Sequence, residues 1–135
     1  MKKASDKDFD IYLRTRMLSV RLLKFCRDIR KQKIEYFLQD QLARSGTSIG
    51  ANIHEGRGSS SQKEFCRFFE IAIRSALETE YWLNVLDEIN SFSETNDLKA
   101  EVQEIRKVLS AIVLGVKRNM AKDENKDQPE INKSK

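Results

Sequence analysis

Apolar residues recur along this chain at the three-, four- and seven-residue steps of a helix face, in four successive blocks. Ile11, Leu18, Leu22, Phe25 and Ile29 draw the first stripe, and no breaker stands between Phe9 and Arg30, which predicts a helix over about 9–30. A second set, Phe9, Leu13, Val20 and Leu23, projects to nearly the opposite side, where a simple amphipathic helix would be polar. One face is expected to line the core and the other a subunit interface. The polar run Arg30-Lys31-Gln32-Lys33 and a change of phase place a turn, after which Ile34, Leu38, Leu42, Ile49 and Ile53 predict a helix over 34–55.

The centre of that second helix, Ser45-Gly46-Thr47-Ser48-Ile49-Gly50-Ala51, is almost all small. Each interior glycine costs about 1 kcal/mol relative to alanine, so close approach of a neighbouring helix is expected there. The Gly46–Gly50 spacing matches a membrane helix-dimer motif, but no apolar 20-mer surrounds it. Gly56-Arg57-Gly58 should end the helix in a left-handed cap. Ser61 and Glu64 then fit a capping box opening a third helix, 61–90, which carries Phe65, Phe68, Phe69, Tyr81 and Trp82. With Thr95 or Asn96 as cap, Leu98, Val102, Ile105, Leu109, Ile112, Val116 and Met120 give a fourth helix over 96–121. The expected architecture is all-α: residues 1–122 form an up-down-up-down four-helix bundle, and 123–135 a disordered, solvated tail.

Composition narrows this further. The chain has 135 residues, one core's worth, and one proline and five glycines are too few turns for a many-stranded sandwich or barrel. No apolar run is long enough to span a bilayer, and the basic start has no apolar stretch behind it to act as a secretory signal, so a cytoplasmic location and no membrane partner are expected. Cys26 and Cys66, forty positions apart without a CxxC and with a single histidine, read as small buried thiols, with no metal site and no cofactor expected.

Net charge is +4, but it is unevenly placed. Residues 1–33 hold eleven Lys and Arg against four acids, a net +7, and the remainder hold fourteen against seventeen, a net −3. Arg14, Arg16, Arg21, Lys24, Arg27, Arg30, Lys31 and Lys33 are interrupted only by Asp28 after Ile11, and the first seven of them are the candidate nucleic-acid-binding residues. The bland alternative is a solvated face balanced by acids such as Glu70 or Asp87.

Candidate chemistry elsewhere is thin. His54-Glu55 begins like HExxH, but Gly58 stands where the second histidine is needed. The Gly56–Ser61 turn lacks the lysine and spacing of a phosphate loop and reads as capping. Asn52 and Glu55 share one side of the second helix, and Glu78 and Thr79 lie on the third; together they are expected to form a structural polar network. Nothing pairs a nucleophile with a base, so no catalytic residue is assigned and no enzymatic activity is expected.

The runs Leu42-Ala43-Arg44-Ser45-Gly46-Thr47-Ser48-Ile49-Gly50-Ala51-Asn52-Ile53-His54-Glu55-Gly56 and Ala76-Leu77-Glu78-Thr79-Glu80-Tyr81-Trp82-Leu83 resemble the four helix bundle protein family, also called the 23S rRNA intervening-sequence proteins. The resemblance covers about 9–120 and departs at His54, where the family commonly has a small residue. It implies a bacterial, left-handed bundle that assembles as a homopentamer, without known enzymatic activity, its members often encoded inside insertions in ribosomal RNA genes. The family is similar in fold to accessory proteins of diversity-generating retroelements, which bind nucleic acid and a reverse transcriptase. Fivefold assembly would multiply the basic segment into a ring. The expected function is therefore electrostatic binding of structured RNA or DNA by a homo-oligomer, with a protein-protein interaction or scaffolding module as the alternative.

Overall fold

The computed structural model describes residues 10–127. Four helices follow one another: α1 Ile11–Ile29, α2 Tyr36–Gly56, α3 Gln62–Ile89 and α4 Ser93–Asp127. A single 3-10 turn, Arg30–Gln32, links α1 to α2. Each helix packs on its neighbour in sequence, and α1 closes against α4, which makes the up-down-up-down bundle. Phe9 and the tail from 128 onward lie outside the described residues.

The stripes become the core. Leu18, Leu22 and Ile29 of α1, Leu42, Ile49 and Ile53 of α2, Phe69, Leu83 and Leu86 of α3, and Val102, Ile105 and Leu109 of α4 are fully buried. Ile112, Val116 and Met120, the last members of the α4 seam, are only partly buried. The seam outruns the bundle: α4 has 35 residues against 28 for α3, so its final turns extend beyond the helices that could cover them.

Several local expectations are corrected. The tail does not begin at 123, because the helix runs through Asp123–Asp127 with residues 121–126 solvated. Its charged residues are compatible with helix. Helix α4 also starts at Ser93, upstream of the expected caps. Thr95 is fully buried instead, its hydroxyl 2.8 Å from both Asp87 Oδ1 and the Phe92 carbonyl. Phe92 itself is buried edge-on against Phe25 at 5.6 Å, which pins the link and draws the helix start forward.

At the end of α2, Gly56 and Gly58 keep negative φ, and the cap is right-handed Arg57. Gly56 sits in tight space: a Cβ there would lie 3.2 Å from Phe68 Cβ and Phe69 Cε1. Among the described residues the left-handed one is Lys33, φ 56°, after the 3-10 turn. The small-residue centre of α2 does receive a neighbour closely. A Cβ on Gly46 would run into the Leu22 side chain, and one on Gly50 would sit 3.1 Å from Thr15 Oγ1, so the glycines let α1 and α2 approach. Gly115 is different, with open space around it.

Candidate nucleic-acid interface

Helix α1 is started by Asp10, whose carboxylate accepts the Leu13 N–H at 3.1 Å. Its buried stripe faces the core and leaves two other surfaces. Between Leu13 and Leu23, the apolar Leu13, Met17, Val20 and Leu23 are exposed, Met17 by 52%, with Arg16 and Arg21 among them. The second apolar face expected from the sequence is thus present and unoccupied within the monomer. Toward the C-terminal half the exposed row turns basic, with Lys24, Arg27, Arg30 and Lys31. Arg27 lies in the last turn, where a cation complements the helix dipole.

Of the seven candidate cations, six are exposed: Arg16, Arg21, Lys24, Arg27, Arg30 and Lys31. They run over about 22 Å of helix axis and turn. Arg14 is set apart, its guanidinium held two-pronged by Glu101 of α4 at 2.9 and 2.7 Å. It is the one candidate that makes an ion pair among the described residues. The acids considered as balancing neighbours are engaged elsewhere: Glu70 with Lys117 at 3.0 Å, and Asp87 with Thr95 and Lys99.

Polar residues do tie α2 to α3, through hydroxyls. Ser48 Oγ and Ser75 Oγ are 3.0 Å apart, and Asn52 Nδ2 donates to Ser48 Oγ at 2.8 Å. Thr79, fully buried, donates from Oγ1 toward Ser75 O at 2.7 Å and Ser45 Oγ at 3.1 Å. Asn52 and Thr79 belong to this ladder, whereas Glu55 and Glu78 are exposed and take no part in it. Carboxylates need more solvation than hydroxyls, and a tight interface of small residues offers them no room.

Ser61 Oγ accepts the Glu64 N–H at 3.1 Å, as the capping box requires, while the Glu64 carboxylate reaches the Ser60 N–H and hydroxyl rather than Ser61. His54 is exposed beside a groove that also contains Arg16 and Arg57, and the Arg57 guanidinium lies 4.3 Å over the Tyr12 ring. Both cysteines are buried and free. Burial pushes the Cys26 thiol up to about 11, with Arg30 pulling it the other way. Among the described residues no group of three or more His, Cys, Asp or Glu is placed to hold a metal ion, and no helix is long and apolar enough to cross a membrane. The aromatics divide. Phe69 is core and stacks on Phe65 at 4.2 Å, while the exposed Phe37 and Tyr81 both meet the half-buried Trp82 edge-on.

Against known proteins, the model of the family described as 23S rRNA-intervening sequence protein matches residues 7–111, which takes in α1 to α3 and the buried part of the α4 seam. The chain belongs to the 23S rRNA-intervening sequence protein family. Among solved structures it is similar to a protein of unknown function of the S23 ribosomal protein family from Bacteroides thetaiotaomicron. The two are 30% identical over 76% of this chain and 97% of that one, with a TM-score of 0.73. No curated protein matches.

Two features of this 23S rRNA-intervening sequence family member are absent from the sequence reading. Arg106 of α4 meets Glu80 of α3 at 2.7 Å, so the paired acid of the second signature is Glu80. Four further cations, Lys63, Arg67, Arg74 and Lys117, line one groove between α3 and α4. Lys63, Arg67 and Arg74 recur at four- and seven-residue steps on one helix face, a spacing visible in the sequence.

Proposed function

We propose that this chain is a non-enzymatic, self-associating four-helix bundle that binds structured RNA or DNA electrostatically through α1. The observation that carries the reading is the row of six exposed cations, Arg16 to Lys31, which no acid of the described residues neutralises by an ion pair. A polyanion releases its condensed counterions to such a row, so affinity arises without base-specific contacts. The exposed apolar side chains of the same helix, Leu13, Met17, Val20 and Leu23, support self-association, because apolar surface is costly to leave in water. The pentamer implied by the family resemblance would bring copies of the basic row into one ring. The family's own description, 23S rRNA-intervening sequence protein, favours ribosomal RNA as the first probe, and the setting is a bacterial cytoplasm.

A second reading is a protein-interaction module without a nucleic-acid role, a reverse transcriptase being the kind of partner that the retroelement relatives bring. The exposed aromatic group of Phe37 and Tyr81 about Trp82 favours it. Charge reversal at Arg21, Lys24 and Arg27 separates the two. Under the main reading, gel shifts with ribosomal RNA fragments disappear while light scattering still gives the wild-type assembly. Unchanged shifts, or none with the wild type at low salt, contradict it.

A further inference from the structure

We propose that the groove between the N-terminal half of α3 and the C-terminal half of α4 binds single-stranded nucleic acid. This deepens the nucleic-acid reading but rests on different residues from the α1 row. The groove measures about 630 Å³, within the size range of pockets that enclose small organic ligands. One wall carries Lys63, Arg67 and Arg74, all exposed and without an ion pair among the described residues. Of its two acids, Glu70 pairs with Lys117, while Glu64 caps the start of α3 through Ser60 and keeps its charge, so the four cations of the lining outnumber the acids by two. The floor is apolar, formed by Ile71 and Met120 with the buried Cys66.

Cations in line over an apolar floor suit a linear polyanion that also carries flat, weakly polar groups. Lys63 to Arg74 extends over about 16 Å of helix axis, enough for several successive phosphates of one strand. Two of the three cations are arginines, whose planar fork grips phosphate oxygens in pairs. A single strand can place its backbone on the wall and turn a base onto Ile71 and Met120.

Fluorescein-labelled dT10 is titrated with the full chain, and anisotropy is followed from 50 to 200 mM salt. Three phosphate contacts on a single strand give a log–log salt slope of about −2, so the fourfold rise in salt weakens binding roughly twentyfold. The triple variant Lys63→Ala, Arg67→Ala, Arg74→Ala should lose that slope, and each single neutralisation should flatten it by about 0.7. The same titrations are repeated with Arg21, Lys24 and Arg27 of α1 changed to alanine, where the groove's own share of the slope, about −2, should persist until Lys63, Arg67 and Arg74 are also neutralised; this distinguishes failure here from failure of the α1 reading. An abasic strand of equal length and charge should bind more weakly, since the floor then has nothing to cover. The proposal is overturned if dT10 does not bind, if the triple variant binds it equally with its circular dichroism unchanged, or if the abasic strand or deca-glutamate competes as well as dT10.

Discussion

The guanidinium of Arg14 is gripped by the carboxylate of Glu101, Nε to Oε2 at 2.9 Å and Nη2 to Oε1 at 2.7 Å, across the seam where the first helix meets the last. Both side chains are mostly shielded, so the pair is neither a screened surface contact nor a desolvated one. An arginine so held serves the bundle. Arg14→Ala should therefore lower stability by about 1 kcal/mol and leave the salt dependence of nucleic-acid binding unchanged. Arg27→Ala should do the reverse. Urea unfolding and anisotropy titrations on the two variants check the split.

Thr79 and Ser45 meet inside the α2–α3 interface, where hydroxyls replace the carboxylates expected from the sequence. Thr79→Val keeps the shape and removes the hydroxyl of a fully buried residue, and should cost about 1 kcal/mol. Glu55→Gln and Glu78→Gln should shift the urea midpoint hardly at all, since both side chains are exposed. A large loss from either glutamine variant would show that the carboxylates do hold the helices together.

Gly46 and Gly115 are both interior helix glycines and should respond oppositely to alanine. At Gly115 a methyl meets nothing within 4 Å, so Gly115→Ala should stabilise by roughly 0.5–1 kcal/mol. At Gly46 it strikes the fully buried Leu22, and the resulting overpacking, about 1–3 kcal/mol, exceeds the propensity gain. Thermal melts of the two variants should move in opposite directions.

Burial of Cys26 makes folding sensitive to alkali. Its thiol is raised from the ordinary 9.0 to about 11, because the folded interior favours the neutral form. That contribution is complete below pH 9 and is lost as pH rises through about 11. Cys26→Ala removes the titrating group. The difference in urea midpoint between wild type and variant should change between pH 9 and 11 in the direction that penalises the wild type, and stay constant below pH 8.

Which of these features the sequence could announce follows from periodicity. The stripes Ile11 to Ile29, Ile34 to Ile53 and Leu98 to Leu109 were legible because a helix that buries one face repeats its apolar residues in register, and every member of those three runs is buried. The exposed apolar set on α1 was legible for the same reason. The Gly46 and Gly50 approach was legible because glycine inside a helix is unfavourable without a compensating neighbour. What escaped depends on three-dimensional partners: Thr95 became a buried hydroxyl once Phe92 docked on Phe25, and Arg14 left the basic row because Glu101 lies opposite, 87 positions away. The α3–α4 groove needed both helices in place before Lys63, Arg67, Arg74 and Lys117 could be seen as one surface.

The central claim is that the exposed cations of α1 meet phosphate, and the salt slope of duplex binding tests it most directly. Binding of a labelled 20-base-pair duplex is measured against salt for the wild type and for neutralised variants of Arg21, Lys24 and Arg27. Each contact should contribute about 0.9 to the log–log slope, so the triple alanine variant should be flatter by roughly 2.7 per protomer engaged while assembling normally. An identical slope for wild type and triple variant, or no duplex binding by the wild type at 50 mM salt, would contradict the account.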